Sequence, residues 1–199
     1  MRARRVALRL AVHAAIVVVP ALALGGLTAV GRPRALACVA YMLLFGETEN
    51  AAGSGADACG AGAPGTRLAL VSALALLATA WAAVGLPSAI GSAASASWGP
   101  TATWLGMALV VAGIVLRAAA MRGLGSSFTS EIVAAVPGRA VITRGVYGWL
   151  HHPSEVGLFF IASGIACVAG SAAALAVVMT VLAPSIVIRV VREDRALGR

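Results

Sequence analysis

Long uninterrupted apolar runs occupy most of this chain, and they constrain its fold more than any other feature. They cover residues 6–30, 68–90 and 101–121, and a longer run covers residues 156–188. About 20 apolar residues are enough to cross a lipid bilayer as a helix. Only 11% of the residues are charged, against about a quarter in soluble domains. The sequence therefore predicts an integral membrane protein and excludes a soluble enzyme with one anchor helix.

The runs predict an all-α fold, a polytopic membrane bundle with five or six transmembrane helices. The two counts differ at residues 35–45, an apolar stretch about half a bilayer long that either crosses the membrane or lies at its surface. An even count puts the arginine-rich N-terminus in the cytoplasm, and an odd count puts it outside. The run at 6–30 can also be interpreted as a signal peptide, because Ala21-Leu22-Ala23 resembles a cleavage site.

We predict two domains in the chain, at residues 1–100 and 101–199. Residues 1–100 contain the first membrane spans and a Gly- and Ala-rich stretch at 46–66 that predicts a flexible connector. Residues 101–199 form the second domain, and its run at 156–188 is too long for one span, with Gly170-Ser171 near the middle. We therefore predict a C-terminal helical hairpin of two short arms that starts and ends on one membrane face.

All 15 basic residues are arginines, and they outnumber the seven acidic residues. Most of them lie at the ends of apolar runs, where positive charge favours the cytoplasmic side and anionic head groups. This placement argues against nucleic acid as a partner and predicts a cytoplasm-facing site at a bacterial plasma membrane. The histidines and cysteines lack the spacing of metal ligands, so we expect no metal. The sequence does not indicate an oligomeric state.

Polar and charged side chains are concentrated at the two ends of the predicted hairpin. Tyr147, His151, His152 and Glu155 lie before it, and Arg192-Glu193-Asp194-Arg195 follows it. The hairpin brings these two segments together. Ionisable groups packed against intramembrane helices are energetically costly, which makes them candidates for a functional site.

The same segments resemble a known family. Leu124-Gly125 is followed by Gly138, then by Val141-Ile142-Thr143-Arg144-Gly145-Val146-Tyr147 and His152-Pro153-Ser154-Glu155-Val156-Gly157, and finally by a hydrophobic hairpin and an acidic pair. Over about residues 104–197 this pattern resembles the isoprenylcysteine carboxyl methyltransferase family and its phospholipid methyltransferase relatives. The resemblance implies a membrane methyltransferase that uses S-adenosylmethionine in a cytoplasmic pocket and acts on a lipophilic acceptor.

The resemblance also implies which residues bind the cofactor: Tyr147, His152, Pro153, Gly157, Glu193 and Asp194. The chain departs from the family at three points. His151 stands where the family usually has Arg, Asp194 replaces a Glu, and the aromatic tail that normally follows the acidic pair is missing. We expect the first two departures to preserve the charge pattern and the third to leave the cofactor lid incomplete.

The chemistry of S-adenosylmethionine suggests roles for these side chains. Glu193 suits the ammonium group or the ribose hydroxyls, whereas His152 or Arg144 suits the carboxylate. We therefore predict that His152 and Glu193 are catalytic and that Arg144 and His151 also contact the cofactor. A carboxylate acceptor needs no general base, whereas an amine acceptor requires a neutral His151 or an acid to take a proton.

Several residues also have structural interpretations. Glu193 lies four residues after Arg189, the spacing of an ion pair on a helix, and Glu155 suits a helix N-terminus. The two histidines could close an interfacial loop. Arg117 could extend to the lipid head groups or pair with Glu131.

Other functions remain open at this point. A non-enzymatic membrane scaffold or assembly subunit could retain the same fold, and the fold relatives include phospholipid N-methyltransferases and membrane reductases that use a nicotinamide cofactor. The sequence has no glycine-rich dinucleotide fingerprint after a strand, which disfavours the reductase.

Overall fold

The computed structural model describes residues 64–84, 98–124 and 143–196, together with residues 38 and 40 and a few positions between 11 and 23. Helix α1 is Pro64–Val84, α2 is Pro100–Leu124, and α3 is Pro153–Ala169, which follows a 3₁₀ turn at Gly145–Gly148. Then α4 (Ala172–Val177), a π-helical turn (Val178–Leu182) and α5 (Ala183–Ala196) form one continuous helix. The all-α class is confirmed for these residues, which include no strand.

The helix boundaries follow from local sequence. Helices α1, α2 and α3 each begin with a proline, whose fixed φ suits the first helical position and whose missing N–H is not needed there. Helix α2 agrees closely with the predicted span 101–121. Helix α1 begins inside the predicted connector 46–66, and the rest of that connector lies outside the described residues.

The predicted hairpin is confirmed, with its turn at Gly170-Ser171. Gly170 has a φ of 64°, a left-handed conformation that glycine adopts without steric strain. Ser171 begins the next helix, and its Oγ accepts a hydrogen bond from the N–H of Ala174 at 3.2 Å. The same hydroxyl donates to the carbonyl oxygen of Ala82 at 3.1 Å. The turn is therefore attached to the end of α1, and the second arm is longer than predicted.

Pro184 explains the π-helical turn inside the second arm. A proline in a helix cannot donate to the carbonyl four residues earlier, and its ring crowds that carbonyl. The turn at Val178–Leu182 ends two residues before Pro184, and the N–H of Ala183 bonds back to the carbonyl of Val178. This wider turn separates the ring from the preceding backbone while the helix continues.

Helix α3 lies at the centre of the described helices, with α2 on one side and α1, α4 and the π-helical turn on the other. Glycines allow α2 and α3 to come unusually close. A Cβ placed on Gly113 would lie 2.6 Å from the carbonyl oxygen of Gly157, and one on Gly106 would lie 2.7 Å from that of Gly164. The buried core around α3 also contains large side chains, among them Ile161, Ile165, Val178 and Leu182.

Two helices in the described part of the chain are long and apolar enough to cross a membrane, Pro100–Leu124 and Ala172–Arg195. Shorter apolar helices lie at Leu74–Ala83 and Pro153–Ala169. The predicted count of five or six spans also depends on the runs at 6–30 and 35–45. Most of those residues lie outside the described part, so the count stays a prediction.

Candidate functional site

The site lies where the two ends of the hairpin meet. The 3₁₀ turn and the segment up to His152 lead into α3, and His152 is the residue immediately before its first turn. The last two turns of α5 return to the same position because the hairpin folds back at Gly170. The predicted proximity of residues 147–155 and 189–195 is confirmed by contacts between their side chains.

His152 lies between two carboxylates from α5. Its Nδ1 is 3.4 Å from Oε2 of Glu193, and its Nε2 is 2.9 Å from Oδ1 of Asp194. An imidazole with a carboxylate at each ring nitrogen satisfies both contacts only when both nitrogens carry protons. The arrangement therefore favours the imidazolium form and forms a charged triad at the end of the hairpin.

The surroundings of His152 raise its pKa above 6.5. The hydrogen bond with Glu193 contributes most to this increase, burial opposes it, and the hydrogen bond with Asp194 adds to it. Each carboxylate stabilises the protonated ring. The folded protein therefore binds a proton at His152 more tightly than the unfolded chain does.

This shift predicts how stability depends on pH. The contribution of His152 is complete below pH 6.5, its ordinary pKa, and is lost as the pH rises through the higher pKa of the folded state. Thermal unfolding in nanodiscs between about pH 6 and about pH 9 should therefore show stability falling as the pH rises. His152→Gln should remove this part of the slope. Equal slopes for the two proteins would contradict the assignment.

A second ion pair lies deeper, between α3 and α5. Nε of Arg189 is 3.3 Å from Oε1 of Glu155, and both side chains are largely buried. Glu155 lies in the first turn of α3, so the helix N-terminus also favours its negative charge, as the sequence predicts. Its Oε2 is buried and accepts no hydrogen bond from the part of the chain that the structure describes. Arg189 is thus a cation in direct contact with the buried carboxylate of Glu155.

Removing one partner of this pair should destabilise the fold. Arg189→Leu would leave the Glu155 carboxylate buried without its counter-ion, which costs about 3 kcal/mol of unfolding free energy. The double variant Arg189→Leu/Glu155→Leu should recover most of that loss, because neither charge remains. Unfolding measured by circular dichroism in detergent would check this. A double variant no more stable than Arg189→Leu would contradict the coupling.

Arg117 is a functional candidate that the site prediction missed. It is turned into the protein and only 7% exposed, so it does not extend to the head groups. Its Nη1 donates to the carbonyl oxygen of Ser154 at 3.0 Å and to the hydroxyl oxygen of Ser154 at 2.6 Å. Arg117 therefore holds the first turn of α3 from the side of α2. A charged residue inside an apolar run is the signal that could have identified it.

Tyr147 lies in the 3₁₀ turn, half-buried beside the same charged groups. Burial raises the pKa of its hydroxyl to about 12, the charge of Glu193 contributes to the increase, and Arg117 opposes it. The hydroxyl thus stays protonated at neutral pH and can donate a hydrogen bond to a ligand.

The other predicted site residues occupy different environments. Arg144 and His151 are exposed, and Pro153 is buried. Gly157 lies in the contact with α2, where an added Cβ would be 3.1 Å from the Cβ of Arg117. Its described contacts thus explain the glycine by helix packing. Residues 125–142, which carry the first part of the sequence motif, lie outside the described residues.

Comparison with known proteins agrees with the resemblance inferred from the motifs. Residues 104–199 match the isoprenylcysteine carboxyl methyltransferase (ICMT) family. The protein-S-isoprenylcysteine O-methyltransferases of Mus musculus and Homo sapiens are each 42% identical to this chain over 62 residues, and that of Xenopus laevis is 40% identical. These alignments cover 29% of this chain and 22% of each relative. No solved structure matches the chain.

Proposed function

We propose that this protein is a membrane methyltransferase that uses S-adenosylmethionine to methylate the carboxylate of an isoprenylcysteine-like lipid. The observation that carries the proposal is the triad of His152, Glu193 and Asp194 within the region that matches the methyltransferase family. We include in the proposal a cytoplasm-facing site at a bacterial plasma membrane. The division into membrane spans at 1–100 and a methyltransferase core at 101–199 is part of it too.

The donor groups fit S-adenosylmethionine. The side chains of Glu193 and Asp194 are 42% and 35% exposed, so both carboxylates are accessible to a cationic ligand. They would bind its ammonium group or its ribose hydroxyls. The hydroxyl of Tyr147 would donate a hydrogen bond, and Arg144 would bind the ligand carboxylate, because both ring nitrogens of His152 already contact Glu193 and Asp194. When bound, this cofactor supplies an activated methyl group on a sulfonium.

The surface beside the site suits a lipophilic acceptor. Apolar side chains are exposed along the middle of α2, among them Val111 and Val115. An isoprenoid chain could therefore approach the site from the lipid along the exposed face of α2. The acceptor carboxylate is already a nucleophile at neutral pH, so the protein needs to orient it and exclude water rather than take a proton. The matched relatives are protein-S-isoprenylcysteine O-methyltransferases, which supports this acceptor class.

A labelling experiment distinguishes this function from its alternatives. Protein in nanodiscs is incubated with methyl-labelled S-adenosylmethionine and a farnesylcysteine with a free carboxylate. We expect the farnesylcysteine to become labelled. Treatment with base should release that label as methanol, because methyl esters hydrolyse and N-methyl groups do not. Base-stable label in an amine lipid would favour an N-methyltransferase. No transfer by folded, cofactor-bound protein to any of several isoprenoid carboxylates would contradict the proposal.

A further inference from the structure

One face of α5 is exposed along its whole length, and its chemistry changes from one end to the other. The exposed positions recur at helical spacing: Pro184, Val187, Ile188, Val191, Arg192 and Arg195. Spacings of three and four residues place these side chains in one stripe. The stripe is apolar for its first turns and cationic in its last turn. We call these six residues the α5 stripe.

The opposite face of α5 belongs to the protein interior and the site. Ser185 is buried, and Arg189, Glu193 and Asp194 reach Glu155 and His152. The α5 stripe therefore faces away from Arg189 and Glu193, and Asp194, three residues after Val191, lies at its edge. Because α5 continues a helix long and apolar enough to span a membrane, the apolar part of the stripe faces lipid acyl chains. Arg192 and Arg195 then lie at the depth of the head groups.

Trp149 gives an independent indication of the same depth. It is 91% exposed and lies three residues before His152, which α5 holds through Glu193 and Asp194. Trp149 is therefore at the same end of the molecule as Arg192 and Arg195. Tryptophan is enriched at membrane–water interfaces because its ring is apolar and its N–H needs a polar partner. An interfacial tryptophan and two exposed arginines thus mark one level.

We propose that Arg192 and Arg195, at the membrane level that Trp149 marks, bind the head groups of anionic phospholipids. The charge favours anionic over zwitterionic lipid, because each arginine near an anionic surface contributes about a fivefold preference. Guanidinium groups also bind phosphate oxygens through two parallel hydrogen bonds. A bound head group would hold the last turn of α5, which also carries Glu193 and Asp194.

The test measures which lipid lies next to Trp149. The other tryptophans, Trp81, Trp98 and Trp104, are replaced by Phe, and the protein is placed in nanodiscs with either dibrominated phosphatidylglycerol or dibrominated phosphatidylcholine. Bromine quenches a tryptophan that it contacts, so the lipid fraction that gives half-maximal quenching reports the preference. We expect an anionic preference of at least about tenfold at Trp149. A matched protein that keeps only Trp104, which is 70% exposed near the start of α2, should show none.

Two double variants in the Trp149 background complete the test. Arg192→Gln/Arg195→Gln should reduce the anionic preference to less than about twofold, whereas Arg192→Lys/Arg195→Lys should retain it. The readout needs no cofactor, so it is independent of the proposed methyl transfer. Equal quenching by both lipids before the arginines are changed would overturn the proposal. A preference that survives the Gln variant, or disappears in the Lys variant, would overturn its electrostatic basis.

Discussion

Replacing Glu193 with Gln is expected to weaken S-adenosylmethionine binding by about 10- to 100-fold. A hydrogen bond to a charged group contributes about 1.5–3 kcal/mol, and an amide in place of the carboxylate would keep the shape of the side chain but lose its charge. The loss of cofactor affinity should exceed the loss from one hydrogen bond, because His152 would also lose the partner that contributes most to its raised pKa. Calorimetric titration of the cofactor into protein in nanodiscs measures the effect.

A matched control separates lost binding from lost folding. Arg122→Gln changes one exposed charge at the end of α2, away from the described contacts of the triad, and should leave cofactor affinity within about twofold. The thermal unfolding of all three proteins is compared in parallel. Cofactor affinity that is the same in Glu193→Gln and in the unchanged protein would show that Glu193 does not contact the ligand.

Replacing Gly113 with Leu should be the most damaging substitution for the described fold, with more than about 4 kcal/mol of unfolding free energy lost. Even a single added carbon would lie 2.6 Å from the carbonyl oxygen of Gly157 and 2.8 Å from a side-chain carbon of Ile161. Helix α2 would have to move away from α3. That movement would also separate Arg117 from Ser154 and so disturb the first turn of α3.

A glycine in the same helix provides the control. Gly123 also lies in α2, but an added Cβ there would meet Tyr147 at 3.4 Å, an ordinary contact. Gly123→Ala should therefore be neutral or stabilising, because Ala favours helix by about 1 kcal/mol over Gly. Unfolding in detergent followed by circular dichroism compares the two variants. If Gly113→Leu unfolded at the same temperature as the unchanged protein, the close crossing of α2 and α3 would be wrong.

Much of the C-terminal fold could be predicted because its signals are local. Gly170 and Ser171 interrupt an apolar run too long for one span, and they form the turn of the hairpin. Pro153 is also a local signal, because proline favours the first position of a helix and α3 begins there. The approach of α2 to α3 could not be predicted, because Gly113 and Gly157 are far apart in sequence and glycines are frequent throughout the chain. Their pairing depends on the relative rotation of two helices.

The candidate site was predictable to a similar depth. The predicted hairpin alone places His152 near Glu193 and Asp194. The structure shows that these side chains are in direct contact. The partner of Arg189 was harder to predict, since helical spacing favours Glu193 whereas the structure pairs it with Glu155 on another helix. Tertiary contacts of this kind depend on the direction of side chains where two helices cross. The periodicity of the sequence does not predict that direction.

The most direct test of the central claim is to find where S-adenosylmethionine contacts the chain. Protein in nanodiscs is irradiated with methyl-labelled cofactor, digested, and mapped by mass spectrometry. We expect the label in peptides covering residues 143–157 and 189–196, with labelling suppressed by excess unlabelled cofactor and lost in His152→Ala. Suppressible labelling confined to other segments, or equal labelling of folded His152→Ala, would contradict a cofactor site at His152, Glu193 and Asp194.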